Sequence, residues 1–356
     1  MLLTRNLIRV KSGARWSRAL SPIPETDRPA VERALKAAFG TTELDGAVPM
    51  SGGLSGAALW RIRVGGIAYV LRIERARDAF RDPIRGYGCM RIAAQAFLAP
   101  GVRYADPDEG VVIMDFIAPR SPALDYPEGG HALIVELARA VRLLHQTKAF
   151  PPLVDFLDGM DALLDLFRQR ELLEPAATAE LYERYTALRA GYRTAPGDWV
   201  SSHNDLNPGN VLCDGARLWL IDWESAFLAD RYVDLAGVAN WFARDAEAEE
   251  ALLATYFGAP PGPQERARFE LMRQVNHLFY GVMFLNAVAS EQPSVVLADR
   301  TLAGPSLASL REGLGAGVFS LQAWEDRATY GKARLSAALA GLRRPAVAEA
   351  LRLVAR

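Results

Sequence analysis

Cysteine is almost missing from this 356-residue chain, which holds only Cys89 and Cys213. Two thiols cannot build a disulfide framework, and they fit a reducing, cytoplasmic compartment. Lysine is scarce as well: Lys11, Lys36, Lys148 and Lys332 are the only four among 41 basic residues. Those 41 face 42 acidic residues, and the net charge of −1 gives no global attraction to nucleic acid or to an anionic membrane. No uninterrupted apolar stretch reaches about 18 residues, so no membrane span is expected. There is no HExxH, and the four histidines (His131, His145, His203, His277) are scattered without cysteine partners, which speaks against a zinc site. The GxSxG elbow of a serine hydrolase is absent, as are internal repeats and low-complexity tracts. What remains is 50% hydrophobic and 23% charged, the composition of an ordinary globular chain.

Residues 1–24 are basic, with Arg5, Arg9, Lys11, Arg15 and Arg18 and no acid among the first twenty, and read as a solvated extension. Val31, Leu35 and Phe39 recur at helical spacing over Glu25–Phe39, with Thr26 or Asp27 as the cap. Trp60, Ile62 and Val64 then alternate with Arg61 and Arg63, and Gly65-Gly66 separates them from Ile67, Tyr69, Leu71 and Ile73. Two glycines between alternating runs predict a hairpin. Asp82-Pro83 opens a helix running to Leu98, and a second hairpin is expected around Asp106–Gly110, leading into Val111–Met114. Ala118–Gly130 reads as a connector. Helices follow over His131–Lys148, Phe156–Arg170 and Thr178–Arg189. One β island, Val211–Cys213 and Leu218–Ile221, precedes helical periodicity from Leu235 to the end, broken at Pro260-Pro261 and Gly304-Pro305. The expected organisation is α+β: a small β-rich part over 25–117 and a larger, mainly helical part over 118–356.

The informative stretch is His203-Asn204-Asp205-Leu206-Asn207-Pro208-Gly209-Asn210, followed by the hairpin and Ile221-Asp222-Trp223-Glu224. It fits H-x-D-L-x-x-x-N with a second aspartate twelve residues later at a strand end. Phosphoryl transfer from a nucleotide needs one carboxylate to orient the acceptor hydroxyl and take its proton. It also needs a side-chain carbonyl and another carboxylate to hold magnesium against the phosphates. Pro208-Gly209 supplies the bend that turns Asn210 back toward Asp205.

His203 to Asp234 resembles the choline kinase and aminoglycoside phosphotransferase superfamily, small-molecule kinases with a two-lobed, protein-kinase-like fold. The resemblance extends roughly from Leu44 to Trp241. It implies Asp205 as catalytic base, Asn210 and Asp222 as Mg2+ ligands, and His203 as a brace for the loop, with ATP as phosphoryl donor. Asp222-Trp223-Glu224, Tyr232–Ala236 (which contains Asp234) and Trp241 resemble the choline kinase branch.

Under this resemblance the N-terminal part supplies the nucleotide site. Ser51-Gly52-Gly53-Leu54-Ser55-Gly56 lies where a phosphate-covering loop falls, its small residues letting backbone N–H groups approach phosphate oxygens. Arg72, on the strand Tyr69–Ile73, stands where a lysine is usual in protein kinases, and a guanidinium grips phosphate in bidentate fashion. The helix from Ile84 to Leu98 contains no acid to hold it, and Gly86 and Gly88 stand where the family usually has an acidic residue. Either another acid serves Arg72 or phosphate alone does. Asp115, Phe116 and Ile117, after Met114, resemble the hinge to which adenine hydrogen-bonds.

The acceptor must present a hydroxyl to Asp205. A quaternary ammonium wants aromatic faces and an acid, for which Trp223, Glu224, Tyr232, Trp241, Tyr280 and Trp324 are candidates. Each aromatic is equally a core residue. Asn276 and Tyr280 share a helix face. Asp158, Asp161 and Asp165 form an acidic row that reads as a solvated face. Residues 301–356 carry eight basic and four acidic side chains, which suits a polycation poorly and leaves an anionic acceptor open. Phosphorylation of choline or a related amino alcohol is the leading expectation. An aminoglycoside or sugar phosphotransferase is the second. A pseudokinase acting as a nucleotide-binding regulatory module is the third.

Overall fold

Alternating side chains build the first sheet, as the sequence pattern predicts. The computed structural model describes residues 9–10, 22–51, 56–118, 120 and 129–355. The chain packs as two compact units, one formed within 4–153 and 201–228, the other within 154–200 and 229–356.

In the first unit β3 (Ala58–Val64) and β4 (Ile67–Ile73) form the expected hairpin. Gly65 and Gly66 take φ of +57° and +78°, the left-handed backbone of a primed turn. β5 (Val102–Asp106) and β6 (Val111–Asp115) form the second hairpin, and β6 pairs with β4. β2 (Gly46–Ser51) pairs with β3, and Arg9–Val10 (β1) pairs with Ser51 and Met50. This corrects the reading of residues 1–24 as wholly solvated, since β1 adds an edge to the sheet. The antiparallel order is β1-β2-β3-β4-β6-β5.

One face of this sheet is covered by α1 (Arg28–Phe39), with Val31, Ala34 and Leu35 set among Trp60, Ile62, Leu71, Ile73, Val111 and Ile113. The helix starts later than expected. Asp27 stands at its N-cap without a capping bond, and its carboxylate pairs with Arg75 instead. Because strand side chains alternate, Arg72 projects from the face opposite Leu71 and Ile73. The helix α2 (Pro83–Gln95) is capped by Asp82, whose carboxylate accepts the Ile84 N–H at 3.0 Å. The first unit also contains α3 (Gly129–His145) and the hairpin of β8 (Val211–Cys213) and β9 (Leu218–Leu220). The chain reaches that hairpin through β7 (Trp199–Ser202) and leaves through β10 (Phe227–Asp230).

The second unit is helical: α4 (Phe156–Gln169), α5 (Pro175–Gly191), α6 (Arg231–Phe242), α7 (Ala246–Phe257), α8 (Pro263–Glu291), α9 (Leu307–Ala316), α10 (Trp324–Leu342) and α11 (Pro345–Val354). The predicted breaks fall between α7 and α8 and before α9. The 29-residue α8 is the spine against which α4, α6, α10 and α11 pack. At its crossing with α10, a Cβ on Gly281 would stand 3.1 Å from the Gly331 carbonyl, so two glycines permit the close approach. The acidic row on α4 is not merely solvated: Asp158 and Asp161 both pair with Arg189, and Asp161 accepts the Tyr185 hydroxyl at 2.6 Å. Among the described residues, no helix is long and apolar enough to cross a membrane.

Candidate active site

The motif residues lie on the loop between β7 and β8 and in the short segment after β9, all within the first unit. His203 is fully buried and donates through Nε2 to the Ile221 carbonyl at 3.0 Å, with its ring centroid 4.7 Å from that of Trp223. It therefore ties the loop to the segment that leads from β9 to Asp222. Asn204 takes φ +63°, and its amide donates to the Ser225 carbonyl at 2.9 Å.

The Asp205 carboxylate is held by two amides. Asn207 Nδ2 donates to one oxygen and Asn210 Nδ2 to the other, each at 3.0 Å, and Asn210 Nδ2 also reaches the Asp205 carbonyl at 2.9 Å. Asn207 is in turn fixed by the Gly209 N–H on its Oδ1 at 2.7 Å. The Pro208-Gly209 bend does bring Asn210 back onto Asp205. With Nδ2 committed there, Oδ1 is the Asn210 side-chain atom that could ligate a cation. The Ile221 N–H donates to the Asn210 carbonyl at 3.0 Å, which couples the loop to the segment bearing Asp222.

Asp222 takes φ +67° and ψ +71° and accepts Arg72 Nη1 at 2.9 Å, a contact between positions 150 residues apart. Arg72 Nη2 reaches Glu74 at 2.9 Å and Glu224 at 3.2 Å. This resolves what holds Arg72. The acids are Glu74, one residue past the end of β4, and Asp222 with Glu224 after β9; none is on the helix. Burial by itself would lower the Arg72 pKa, but Asp222, Glu224 and Glu74 outweigh it and raise the pKa. Burial, then the neighbouring Asp222, push Glu224 up to about 7 against the pull of Arg72. Glu74 is 6% exposed, and its Oε1 has no hydrogen-bond partner among the described residues.

A Cβ on Gly86 would stand 3.6 Å from the Trp223 carbonyl and 3.7 Å from Glu224 Cα, in ordinary van der Waals contact, so α2 runs alongside the segment that carries the carboxylates. Arg85 strengthens that contact by donating to the Glu224 carbonyl at 2.8 Å and the Ala226 carbonyl at 3.2 Å.

Oxygen donors fit a hard divalent cation. Mg2+ is commonly held by one or two carboxylates together with substrate phosphates and water, and Asp222 with Asn210 Oδ1 is such a set. Among the described residues, no group of three His, Cys, Asp or Glu side chains could hold a metal.

The remaining expectations fare differently. Gly52, Gly53 and Ser55 lie outside the described residues. Ser51 ends β2, and Gly56 takes φ +74°. Asp115 pairs with Arg103 at 2.7 Å, and its N–H donates to the Gly101 carbonyl; Phe116 lies under the Arg61 guanidinium at 5.3 Å. Ile117 follows beyond the end of β6. Trp223 is 4% exposed, packed on His203 and edge-on to Phe150 at 6.2 Å, so it floors the loop. Glu224 faces Arg72. Asp234 is buried in α6, but that helix begins earlier than expected and its capping residue is Asp230, which accepts the Tyr232 N–H at 2.9 Å. Asn276 Oδ1 accepts Asn240 Nδ2 at 2.9 Å, a satisfied core contact. Trp241 and Tyr280 pack edge-to-face at 5.3 Å, with Arg334 over their rings at 4.0 and 5.2 Å.

Sequence reasoning missed Glu74 and Asn207. The first was findable, because it follows Arg72 by two residues at the strand end, and extended backbone puts i and i+2 on one face. The second lies inside the motif, at a position the motif does not specify.

Known proteins place this arrangement. The sequence matches the phosphotransferase enzyme family (APH) over residues 46–269. A LicA homolog of Mycoplasma capricolum is 21% identical over 150 residues, 42% of this chain and 58% of that protein, so the chain spans little more than half of that relative's length. The fold is similar to a choline/ethanolamine kinase family protein from Mesorhizobium loti, with TM-score 0.62, 22% identity, and 85% and 90% of the two chains covered. It is also similar to the spectinomycin phosphotransferase APH(9)-Ia in complex with ADP and spectinomycin, with TM-score 0.54, 13% identity, and 72% and 88% covered. The α+β architecture is thus that of the choline and aminoglycoside kinases, and this chain belongs to the phosphotransferase enzyme family.

Proposed function

We propose that this protein is an ATP- and Mg2+-dependent kinase that phosphorylates a hydroxyl of a small molecule. The observation that carries the reading is the 2.9 Å pairing of Arg72 with Asp222. It unites a phosphate-binding guanidinium from the sheet with the second carboxylate of the motif. The ADP in the spectinomycin kinase complex supports nucleotide use.

In this reading the acceptor hydroxyl gives its proton to the Asp205 carboxylate as its oxygen attacks the γ-phosphorus and the bond to the departing ADP breaks. Asn207 and Asn210 hold both carboxylate oxygens, so Asp205 meets the hydroxyl in one orientation. Arg72 swings from carboxylates to phosphate oxygens, for which its planar fork is equally suited. Asn210 and Asp222 would hold Mg2+, which when bound offsets the phosphate charge. The part over 25–117, with residues 51–56, 72 and 115–117, would bind nucleotide, and the part over 118–356 would serve catalysis and the acceptor.

Choline or a related amino alcohol is the acceptor that the relatives suggest, and an aminoglycoside or sugar is the second. Arg334 over Trp241 and Tyr280 weighs against a quaternary ammonium on those rings. ADP release against a panel of amino alcohols, thiamine-like alcohols, sugars, aminoglycosides and hydroxy acids tests the class. Asp205→Asn should keep stabilisation by ATP and Mg2+ while turnover falls about 10²- to 10⁴-fold. Near-normal turnover in that variant would remove Asp205 as the base. Nucleotide binding without ADP release from any acceptor would turn the reading to a pseudokinase.

A further inference from the structure

Three buried hydrogen-bond donors without an acceptor among the described residues lie in the helical unit. Arg334, on α10, is fully buried. Its guanidinium lies 4.0 Å from the Trp241 centroid, 5.2 Å from Tyr280 and 5.3 Å from Tyr330. An aromatic box of this kind is what a quaternary ammonium requires, and here the chain fills it with its own cation. The polar partners of Arg334 are neutral: Nη1 meets His277 Nδ1 at 3.1 Å, and Nη2 donates to the Tyr330 hydroxyl at 3.2 Å. Because that His277 nitrogen accepts from a guanidinium, the ring is uncharged. Burial and the cations Arg334, Arg273 and Arg311 push its pKa well down.

Arg311, on α9, adds a second charge. It donates to the Asn240 carbonyl and hydrogen-bonds the same Tyr330 side chain. Burial, and then Arg334, lower its pKa. Among the described residues neither Arg311 nor Arg334 pairs with a carboxylate. On the neighbouring helices Glu249 pairs with Arg273 and Glu270 with Arg344. Arg311 Nε, Arg334 Nε and Trp241 Nε1 are all buried without an acceptor among the described residues. All three atoms can only donate.

A buried charge without a counter-charge is costly, and buried orphan donors call for an unseen partner. An oxyanion supplies both the negative charge and the acceptor lone pairs. Arg311 is only partly buried, so the cluster reaches solvent.

We propose that Arg311 and Arg334, with the Trp241 indole N–H, form an anion subsite for a carboxylate or phosphate group.

Isothermal titration of the full chain, saturated with ADP and Mg2+, uses inorganic phosphate, acetate and tetramethylammonium chloride as probes at matched ionic strength. Phosphate or acetate should bind saturably, and their relative affinities decide between the two headgroups. Tetramethylammonium should not bind. Arg311→Gln, at a partly exposed position, should weaken anion binding about tenfold or more, and Arg334→Lys, which keeps the charge, should weaken it less than Arg334→Gln. Absence of anion binding in the parent, equal binding in Arg311→Gln, or preference for tetramethylammonium would overturn the subsite. The subsite stands on its own observations, and loss of ATP-dependent stabilisation in the parent would end the kinase reading without touching it.

Discussion

Replacing Arg72 with alanine should cost far more than the loss of one surface charge. The Arg72 side chain is 13% exposed and bonds Glu74, Asp222 and Glu224 within 2.9–3.2 Å. Without it three carboxylates share a half-buried space and lose the one guanidinium that bonds them all. Removing one partner of a buried pair costs about 3–5 kcal/mol. For a unit of this size each kilocalorie shifts Tm by about 2–4 °C, so Arg72→Ala should melt about 10 °C below the parent at pH 7.5 and low salt. Millimolar Mg2+ should raise the Tm of the variant more than that of the parent, because the freed carboxylates attract a cation. Arg72→Lys should recover only part of the loss, since one ammonium cannot span three carboxylates as a guanidinium does. The KM for ATP should rise about tenfold or more. A variant melting within about 2 °C of the parent would show that the three contacts carry no net stability and would refute the argument.

Two further predictions concern stability. Burial lifts Asp230 to about 6, although the Tyr232 N–H and the Tyr192 hydroxyl favour the carboxylate. An unfolded aspartate releases its proton near about 3.9. The native state therefore holds the extra proton between about pH 4 and 6, and stability from this group declines as pH rises through that window. Asp230→Asn should keep the cap of α6 and flatten the decline, leaving the variant more stable at pH 7 by at most about 3 kcal/mol; urea melts with identical pH slopes in both proteins would contradict this. Gly110 has φ +68°, and a Cβ there would stand 2.5 Å from the Glu74 carbonyl. Gly110→Ala should destabilise by about 1–3 kcal/mol in urea denaturation, and an unchanged midpoint would show that the turn relaxes freely.

The hairpins around Gly65-Gly66 and Asp106–Gly110 were legible because period-two alternation and turn glycines are local signals. The Asp205–Asn210 loop was legible because its spacing encodes its bend. β2 was hidden by Pro49, which sits opposite Trp60 but outside the two-residue pairing with β1. The partner of Arg72 was sought on a helix, whereas its acids are Glu74, Asp222 and Glu224. Glu74 was overlooked although it lies only two residues after Arg72, just past the strand end. Arg334 could not be read as filling an aromatic box, because that contact joins α10 to α6 and α8 across long sequence separations, and no local pattern records it.

Asp222 and Asn204 adopt backbone torsions that most side chains resist, and aspartate, asparagine and glycine are the types that tolerate them best. Two separate demands thus fall on position 222: an unusual main-chain shape and a negative charge. Asparagine meets the first and fails the second, whereas alanine or valine would fail both. Exchange for asparagine is therefore the replacement that strips the ionic contribution while sparing the turn, and a defect seen there can be read as electrostatic rather than conformational.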